Sequence, residues 1–165
     1  MTVSSDMLWR FNADFDLSKL RDDVEDRGSF QQYFDPLTGA PVVGWQYKLA
    51  TSAYALETAG RIAAAAGAAA ASPRYILTRP GVTIPWHRDR GTLCAVNILL
   101  QGEGDPINFR HGAEHYHTAL INTQAEHALL SVMTERVLFK VSIFDRTFDQ
   151  VLVDLRHSGA DWLGI

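Results

Sequence analysis

Three side chains in the second half of the chain have the types and the order of a metal-binding site. His87 and Asp89 form a His-x-Asp pair, and His127 follows in an apolar stretch further along. Two imidazole nitrogens and one carboxylate oxygen suit Fe(II) and leave the opposite face of the ion open for a cosubstrate and oxygen. Zinc usually has a closed tetrahedron or one open position. We therefore predict that these three residues bind Fe(II) and form the catalytic centre.

A second group of histidines, in the segment HGAEHYH, offers an alternative metal site. His115 and His117 would share one face of a strand and could bind a metal as a pair, with His111 nearby. A cupin-like site could also combine such residues with His87. The segment is polar and lies next to a turn, so we expect these histidines to be exposed to solvent.

An iron oxygenase needs a source of electrons besides its substrate, and a dicarboxylic 2-oxo acid bound to the iron can supply them. The distal carboxylate of this acid would then need a cation within the site. Arg136 stands nine residues after His127 and opens the apolar segment RVLFKVSIFD. Its planar guanidinium can bind a carboxylate through two hydrogen bonds, so we predict that it anchors the distal carboxylate. Lys140 lies on the same strand face and is the alternative anchor. Taken alone, Arg136 could also be a surface residue paired with Glu135 or Asp145.

The elements that must position these residues change in type near Ser72-Pro73. Before this point, Asp16 can cap a short amphipathic helix, Gly28 to Trp45 has the glycines and prolines of a loop, and Thr51 to Ala71 is an Ala-rich helix. We predict a single domain, 1–165, in which residues 1–73 form a helical and irregular buttress and residues 74–155 form a β core.

Short apolar runs separated by turn residues follow Pro73, and they predict a barrel or a double-sheet jelly roll. Because such a fold places chain-distant strands face to face, it can bring His127 opposite His87 and Asp89. The predicted strands are Tyr75 to Leu77, Ile84 to Asp89, Leu93 to Leu100, Ile107 to Phe109, His115 to Asn122, Ala125 to Val132, Val137 to Phe144, and a further candidate at Gln150 to Leu155.

Two long segments, LTRPGVTIPWHRDRGTLCAVNILLQG and YHTALINTQAEHALLSVMTERVLFKVSIFD, carry a resemblance to a known family. Together they resemble the double-stranded β-helix core of the Fe(II)/2-oxoglutarate-dependent dioxygenases, above all the aspartyl/asparaginyl β-hydroxylase-like branch. The resemblance covers residues 74–147, roughly half of the chain. The positions that fit the order of that pattern are Pro80, Gly81, Ile84, His87, His127, Arg136 and Asp145.

The resemblance implies a fold and a reaction. The fold would be mainly β with N-terminal helices, a cupin-like jelly roll. The reaction would be hydroxylation of an unactivated C–H bond, in an amino-acid side chain that is free or part of a peptide, using O₂ and 2-oxoglutarate and releasing succinate and CO₂. Asp89 keeps the acidic ligand, which argues against a halogenase. Asn97 stands where the branch has basic residues, and it would bind 2-oxoglutarate or bond to backbone in the core.

Two other classes of function remain open at this point. A cupin-type metal dioxygenase or isomerase would use the same fold without 2-oxoglutarate. A jelly-roll binding domain would carry its histidines incidentally and have no activity. Metal content separates this last class from the two enzymes, and turnover of 2-oxoglutarate separates the enzymes from each other.

The composition argues against several partners. The formal net charge is −4 and no two Lys or Arg residues are adjacent, so the basic surface that binds nucleic acid is not expected. The single Cys94 fits a reducing, cytoplasmic setting. Charged residues interrupt the N-terminus before a secretory apolar segment can form, and the uncharged run Ile62 to Pro73 is too short to span a bilayer.

Overall fold

The structure, a computed structural model, describes residues 6–12, 14–130 and 132–158 of the chain. It contains three α-helices: α1 (Leu17–Asp22), α2 (Ala53–Ala65) and α3 (Phe148–Ser158). The strands are β1 (Leu8–Arg10), β2 (Gln31–Phe34), β3 (Pro41–Leu49), β4 (Ala71–Thr78), β5 (Ile84–His87), β6 (Cys94–Gln101), β7 (Ile107–Phe109), β8 (Gly112–Glu114), β9 (Thr118–Ile121), β10 (His127–Leu129) and β11 (Arg136–Ile143).

The strands form two antiparallel sheets that enclose an interior. The larger sheet has the order β1-β9-β6-β11-β4-β3-β2, and the smaller has the order β5-β10-β7-β8. Strands that are neighbours in a sheet are often far apart in sequence, as in a double-stranded β-helix. The predicted fold class, mainly β with a cupin-like jelly roll, is confirmed.

Strand β11 lies near the middle of the larger sheet and separates two apolar cores. Phe139 points to the outer side, where it packs in a cluster with Leu20 of α1, Ile62 of α2 and Leu155 of α3. Leu138 points to the interior, where it belongs to a second cluster that includes Phe109 of the smaller sheet. Because side chains alternate along a strand, the even-numbered residues of β11 face the interior.

Two of the predicted helices are present, one of them shorter than expected. Asp16 caps α1 by accepting a hydrogen bond from the Ser18 backbone N–H, as predicted. Helix α2 begins after its cap, Ser52, and ends at Ala65 rather than at Ala71. Gly67 has a φ of 64°, a left-handed conformation that ends a helix, and the chain re-enters the sheet at Ala71.

Two predictions of secondary structure are wrong. The stretch Gly28 to Trp45, expected to be a loop, contains β2 and the start of β3; its turn residues lie in the tight connection where Asp35 N–H bonds to the Ala40 carbonyl. The candidate strand Gln150 to Leu155 lies within α3, because Phe148, Val151 and Leu155 are buried at helical spacing.

Residues from both sides of the expected boundary at residue 73 share the larger sheet, since β1, β2 and β3 belong to it together with β4. The single-domain organisation itself stays a prediction. None of the helices in the described ranges combines the length and apolar character that crossing a membrane requires.

Candidate metal and cosubstrate site

The three predicted metal ligands come together at one end of the smaller sheet. His127 on β10 lies directly opposite His87 on β5 in the antiparallel pair, and Asp89 follows two residues after His87. The Oδ1 atom of Asp89 is 3.4 Å from Nε2 of His87 and 3.5 Å from Nε2 of His127. One ligand atom from each residue lies within 4.8 Å of the others, so the group could hold one metal ion.

Both imidazole rings are held in the orientation that metal binding needs. The Nδ1 atom of His87 is 2.7 Å from the Pro85 carbonyl oxygen, and that of His127 is 2.8 Å from the Ala125 carbonyl oxygen. A carbonyl oxygen only accepts hydrogen bonds, so each Nδ1 carries the proton. Each Nε2 faces Asp89, and in its deprotonated form it has a lone pair that could bind a metal, as in sites where backbone carbonyls fix the tautomer.

The loop that carries Asp89 is tied to the turn before His127. The backbone N–H of Asp89 donates to the Thr123 carbonyl at 3.0 Å. The side-chain amide of Gln124 donates to the carbonyls of Asp89 and Thr92 at 2.9 and 2.7 Å. Gln124 was not predicted as a site residue, because a glutamine in a polar turn has no distinctive sequence pattern. It joins the two chain segments that supply the predicted ligands.

Lys140 shapes the electrostatics around Asp89. Its Nζ atom lies 2.8 Å from Oδ2 of Asp89, on the side away from the histidines. Burial raises the pKa of Asp89, but the charge of Lys140 and the hydrogen bonds from His127, His87 and Lys140 lower it by more, so the pKa lies far below its ordinary value. Burial lowers the pKa of His87, and the hydrogen bonds to Asp89 and to the Pro85 carbonyl raise it above its usual range.

These distances fit a metal ion. Two ligands at about 2.1 Å from one ion, separated by roughly 90–110°, lie about 3.0–3.4 Å apart. The measured separations of 3.4 and 3.5 Å are close to this range. Two nitrogens and one oxygen leave part of an octahedron open, and this donor set matches Fe(II) better than a closed zinc site.

Arg136 is buried in the interior, with only 4% of its surface exposed. Its Nη2 atom donates to the hydroxyl of Tyr116 at 2.7 Å, and the side-chain amide of Asn97 donates to the same hydroxyl at 3.0 Å. Nε of Arg136 and Oδ1 of Asn97 are buried and have no hydrogen-bond partner among the residues that the structure describes. A surface role for Arg136 is therefore wrong, and Glu135 pairs instead with Arg27 and Arg79.

Tyr116 was not predicted as a site residue, because it lies in the polar segment between two short strands. Its hydroxyl joins Arg136 to Asn97, and in the described residues Arg136 has no carboxylate partner. An ion of this kind is costly to bury unless it is paired. Arg136, Asn97 and Tyr116 thus form a buried polar cluster in which an anionic group would neutralise the arginine.

A cavity of about 390 Å³ opens beside the three predicted ligands. His87, Asp89 and Lys140 line it, and so do Trp45 and Tyr33 from the N-terminal part of the chain. Arg136 is not among the residues that line this cavity. It lies four residues before Lys140 on the same face of β11, about 13 Å along the strand.

The alternative histidines do not join this site. His111, His115 and His117 are exposed to solvent, as expected. His111 faces Glu114 at 3.2 Å, and Nδ1 of His115 bonds to the Gly104 carbonyl at 2.7 Å. Neither contact involves His87. Among the described residues, His87 is grouped with Asp89 and His127, and not with these three histidines as a cupin-like site would require.

The comparisons with known proteins show the fold. No family profile and no curated protein matches the chain. A prolyl-4-hydroxylase from Pseudomonas putida superposes with a TM-score of 0.62 at 12% identity, covering 87% of this chain and 95% of that one. A prolyl hydroxylase from Trichoplax adhaerens, in complex with a hypoxia inducible factor peptide fragment, gives 0.64 at 11% identity, with coverages of 92% and 86%. The viral collagen prolyl hydroxylase of Paramecium Bursaria Chlorella virus-1, a 2OG complex, gives 0.57 at 9% identity, with coverages of 87% and 98%. The chain shares its fold with these hydroxylases.

Proposed function

We propose that this protein is an Fe(II)- and 2-oxoglutarate-dependent oxygenase that hydroxylates an unactivated C–H bond. The observation that carries the proposal is a buried arginine, Arg136, that has no anionic partner among the described residues and lies in the same interior as a His/Asp/His group. A metal-binding domain alone would not need the arginine. A cosubstrate with a metal-chelating end and a distal carboxylate would need both, and 2-oxoglutarate has this form.

His87, Asp89 and His127 would hold the iron. Lys140 would keep Asp89 ionised and, by binding Oδ2, would orient Oδ1 towards the two histidines. Iron and 2-oxoglutarate bound together would supply the activated oxygen for hydroxylation, with succinate and CO₂ as coproducts. The chain itself contributes orientation, because the carbonyls of Pro85 and Ala125 hold the two imidazoles.

Arg136 is the anchor that we propose for the distal carboxylate, with Tyr116 and Asn97 beside it. The alternative anchor, Lys140, is already paired with Asp89 at 2.8 Å, whereas within the described ranges Arg136 bonds only to the neutral hydroxyl of Tyr116. A bidentate carboxylate would neutralise Arg136 and give its buried Nε a partner. The similarity in fold to a hydroxylase solved as a 2OG complex supports this assignment.

An amino-acid side chain, free or within a peptide, is the substrate class that we propose. It follows from the resemblance of the sequence to the aspartyl/asparaginyl hydroxylase-like branch, which stays a prediction. The similar solved structures are prolyl hydroxylases, and one of them was solved with a peptide fragment.

The decisive test is an anaerobic titration of the Fe(II)-loaded protein with 2-oxoglutarate. A 2-oxo acid chelated to Fe(II) gives a weak visible charge-transfer band, which we expect for the wild type. Arg136→Ala should weaken 2-oxoglutarate binding by about 2–5 kcal/mol, because it removes one partner of a buried charge pair. Arg79→Ala is the matched control, since Arg79 is paired with Glu135 near the surface.

The other outcomes point to the other classes. Bound iron without a band would indicate a cupin-type enzyme that does not use 2-oxoglutarate. Failure to bind iron would indicate a binding domain. An unchanged affinity in Arg136→Ala, with a loss in Lys140→Met, would move the anchor to Lys140.

A further inference from the structure

Arg74 on β4 lies directly opposite Lys140 on β11 in the antiparallel pair. Residues opposite each other in a sheet project from the same face, so both side chains point to the interior, and both line the cavity beside the predicted ligands. Like charges placed opposite each other destabilise a sheet. A local arrangement that costs stability in this way is typical of a functional site.

The two cations differ in how their charge is balanced. Lys140 is paired with Asp89 at 2.8 Å. Arg74 has no ion pair with any residue in the described ranges, and its Nε is buried without a hydrogen-bond partner. Its guanidinium carbon lies 5.6 Å from the centre of the Tyr47 ring, a stacking that fixes the direction of the side chain without neutralising it.

An aromatic wall connects Arg74 to the predicted metal ligands. The Trp45 ring lies 6.4 Å from the ring of His87 and 4.1 Å from that of Tyr33. Tyr33 in turn contacts Tyr47 edge to face, with ring centres 6.4 Å apart. This wall is made of Tyr33, Trp45 and Tyr47. Tyr33 and Trp45 line the cavity, and an apolar group could lie on them between Arg74 and His87.

The charges around the cavity favour an anion at Arg74. Its basic lining residues are Arg74, Arg88, Arg90 and Lys140, and its acidic ones are Asp35 and Asp89. Asp89 is paired with Lys140, and the carboxylate of Asp35 accepts the backbone N–H groups of Leu37 and Thr38. Neither acid forms an ion pair with Arg74.

We propose that Arg74 anchors the carboxylate of the substrate, and that the substrate is a small organic acid, such as a free amino acid, rather than an internal peptide residue. Its apolar part would lie on the aromatic wall, with the reacting carbon toward His87 and Asp89. This assignment rests on the proposed oxygenase function. With this assignment, each of the two interior arginines that lack an ion pair in the described ranges would bind one anion: Arg136 the cosubstrate and Arg74 the substrate. Arg74 lies opposite Lys140, which is four residues after Arg136 on β11.

Phenylacetate and its neutral isostere phenylacetamide are suitable probes, because they combine an aromatic ring with or without a carboxylate. Their affinities are measured by calorimetry on the anaerobic Fe(II) protein saturated with 2-oxoglutarate, so that Arg136 is occupied. We expect the wild type to prefer phenylacetate by about 10- to 100-fold, the range of a charge-assisted hydrogen bond. Arg74→Gln should remove the preference, and Arg74→Lys should restore part of it.

Arg61→Gln is the matched control. Arg61 also lies over an aromatic ring, that of Phe15 at 5.3 Å, but it belongs to helix α2 outside the cavity. We expect it to keep the full preference for phenylacetate. A preference that survives in Arg74→Gln, or that is lost equally in Arg61→Gln, would overturn the proposal.

Two further measurements separate this proposal from the oxygenase function. The charge-transfer band should persist in Arg74→Gln; its loss would assign Arg74 to the cosubstrate and overturn the proposal. The probe titrations are repeated without metal. If the wild type gives no band but still prefers phenylacetate through Arg74, the oxygenase function fails while the anion site stands.

Discussion

Asp89 is the residue on which the candidate centre depends. One of its carboxylate oxygens faces both histidine Nε2 atoms, while Lys140 occupies the other. This division leaves Oδ1 for a metal and favours binding through a single oxygen. The charge of the same ammonium lowers the pKa of the carboxyl group, which favours the ionised form of Asp89 that a metal would bind.

Replacing Asp89 by Ala should abolish Fe(II)-dependent turnover of 2-oxoglutarate while the protein remains folded, because only two imidazoles are left to hold the ion. Iron content after gel filtration and succinate release measure the effect, and circular dichroism checks the fold. A second variant, Asp89→Ala with Lys140→Met, removes the lysine that the first leaves unpaired. Full activity in either variant would contradict the assignment of Asp89 as a ligand.

At the scale of elements, two loops act together. The loop after β5 carries Asp89, and the turn before β10 carries Gln124, whose amide bonds to the carbonyls of Asp89 and Thr92. These bonds connect segments that are more than thirty residues apart in sequence. The positions of the two loops relative to each other therefore set the distance between Asp89 and His127.

Gln124→Ala should lower Fe(II) affinity by about 10- to 100-fold, the usual effect of removing a group that orients a ligand. The affinity is measured by anaerobic competition with a chelator. Gln150→Ala, in the first part of α3, is a control that changes the same side chain far from the loops. Equal affinities for the Gln124 and Gln150 variants would show that the amide does not position Asp89.

Asp145 connects the end of β11 to the segment before β4 by accepting the Ala69 backbone N–H at 2.8 Å. This bond lowers the pKa of Asp145 below its ordinary 3.8. A lowered pKa means that the carboxylate stabilises the fold above the ordinary value and that this contribution is lost as pH falls through the folded-state pKa. Asp145→Asn should therefore lower the urea midpoint at pH 7, and the difference should shrink at acid pH.

Urea unfolding at pH 7 and at the lowest pH where the protein is folded tests this expectation. Glu57→Gln, an exposed change on α2, controls for the loss of one surface charge. A difference between wild type and Asp145→Asn that stays constant with pH would contradict the role of the ionised carboxylate.

At the scale of the whole molecule, the two faces of the larger sheet have different roles: the outer face packs the main apolar core, and the inner face carries the residues of the candidate site. Its outer side packs against the three helices and holds the larger apolar cluster. Its inner side carries Arg74, Arg136 and Lys140 among a smaller apolar cluster. The helices therefore stabilise the sheet from outside while the interior can accommodate polar groups.

Adjacent residues of β11 can test this division. Phe139 is fully buried on the outer side against Tyr75, and Phe139→Ala should lower the free energy of unfolding by about 3–5 kcal/mol through the cavity it leaves. The folded variant should keep its affinity for 2-oxoglutarate. Leu138→Ala, on the inner side between Arg136 and Lys140, should lower both stability and that affinity.

Urea unfolding and the charge-transfer titration give the two quantities. Phe139→Leu provides a milder outer-side change if the alanine variant does not fold. An equal loss of 2-oxoglutarate affinity in the inner and outer variants would mean that the two sides of the sheet are coupled.

The sequence by itself predicted the β core and the residues of the candidate centre, because these depend on local patterns. Alternating apolar residues indicate strands, and the His-x-Asp pair with a later histidine predicts a ligand set, which stays a prediction. It failed where a pattern was ambiguous: turn residues around Gly39 concealed the hairpin of β2 and β3, and the short apolar run after Gln150 fits a helix as well as a strand.

Only the tertiary structure decided how the interior charges are balanced. Strand pairing places Lys140 against Asp89 and Arg136 against Tyr116, so that, in the part of the chain that the structure describes, Lys140 has an anionic partner and Arg136 has none. The same pairing puts Arg74 opposite Lys140, and it brings Gln124 to the Asp89 loop. These relations join residues that are distant in the chain, and no local pattern of types or spacing encodes which distant partner a charged side chain will meet.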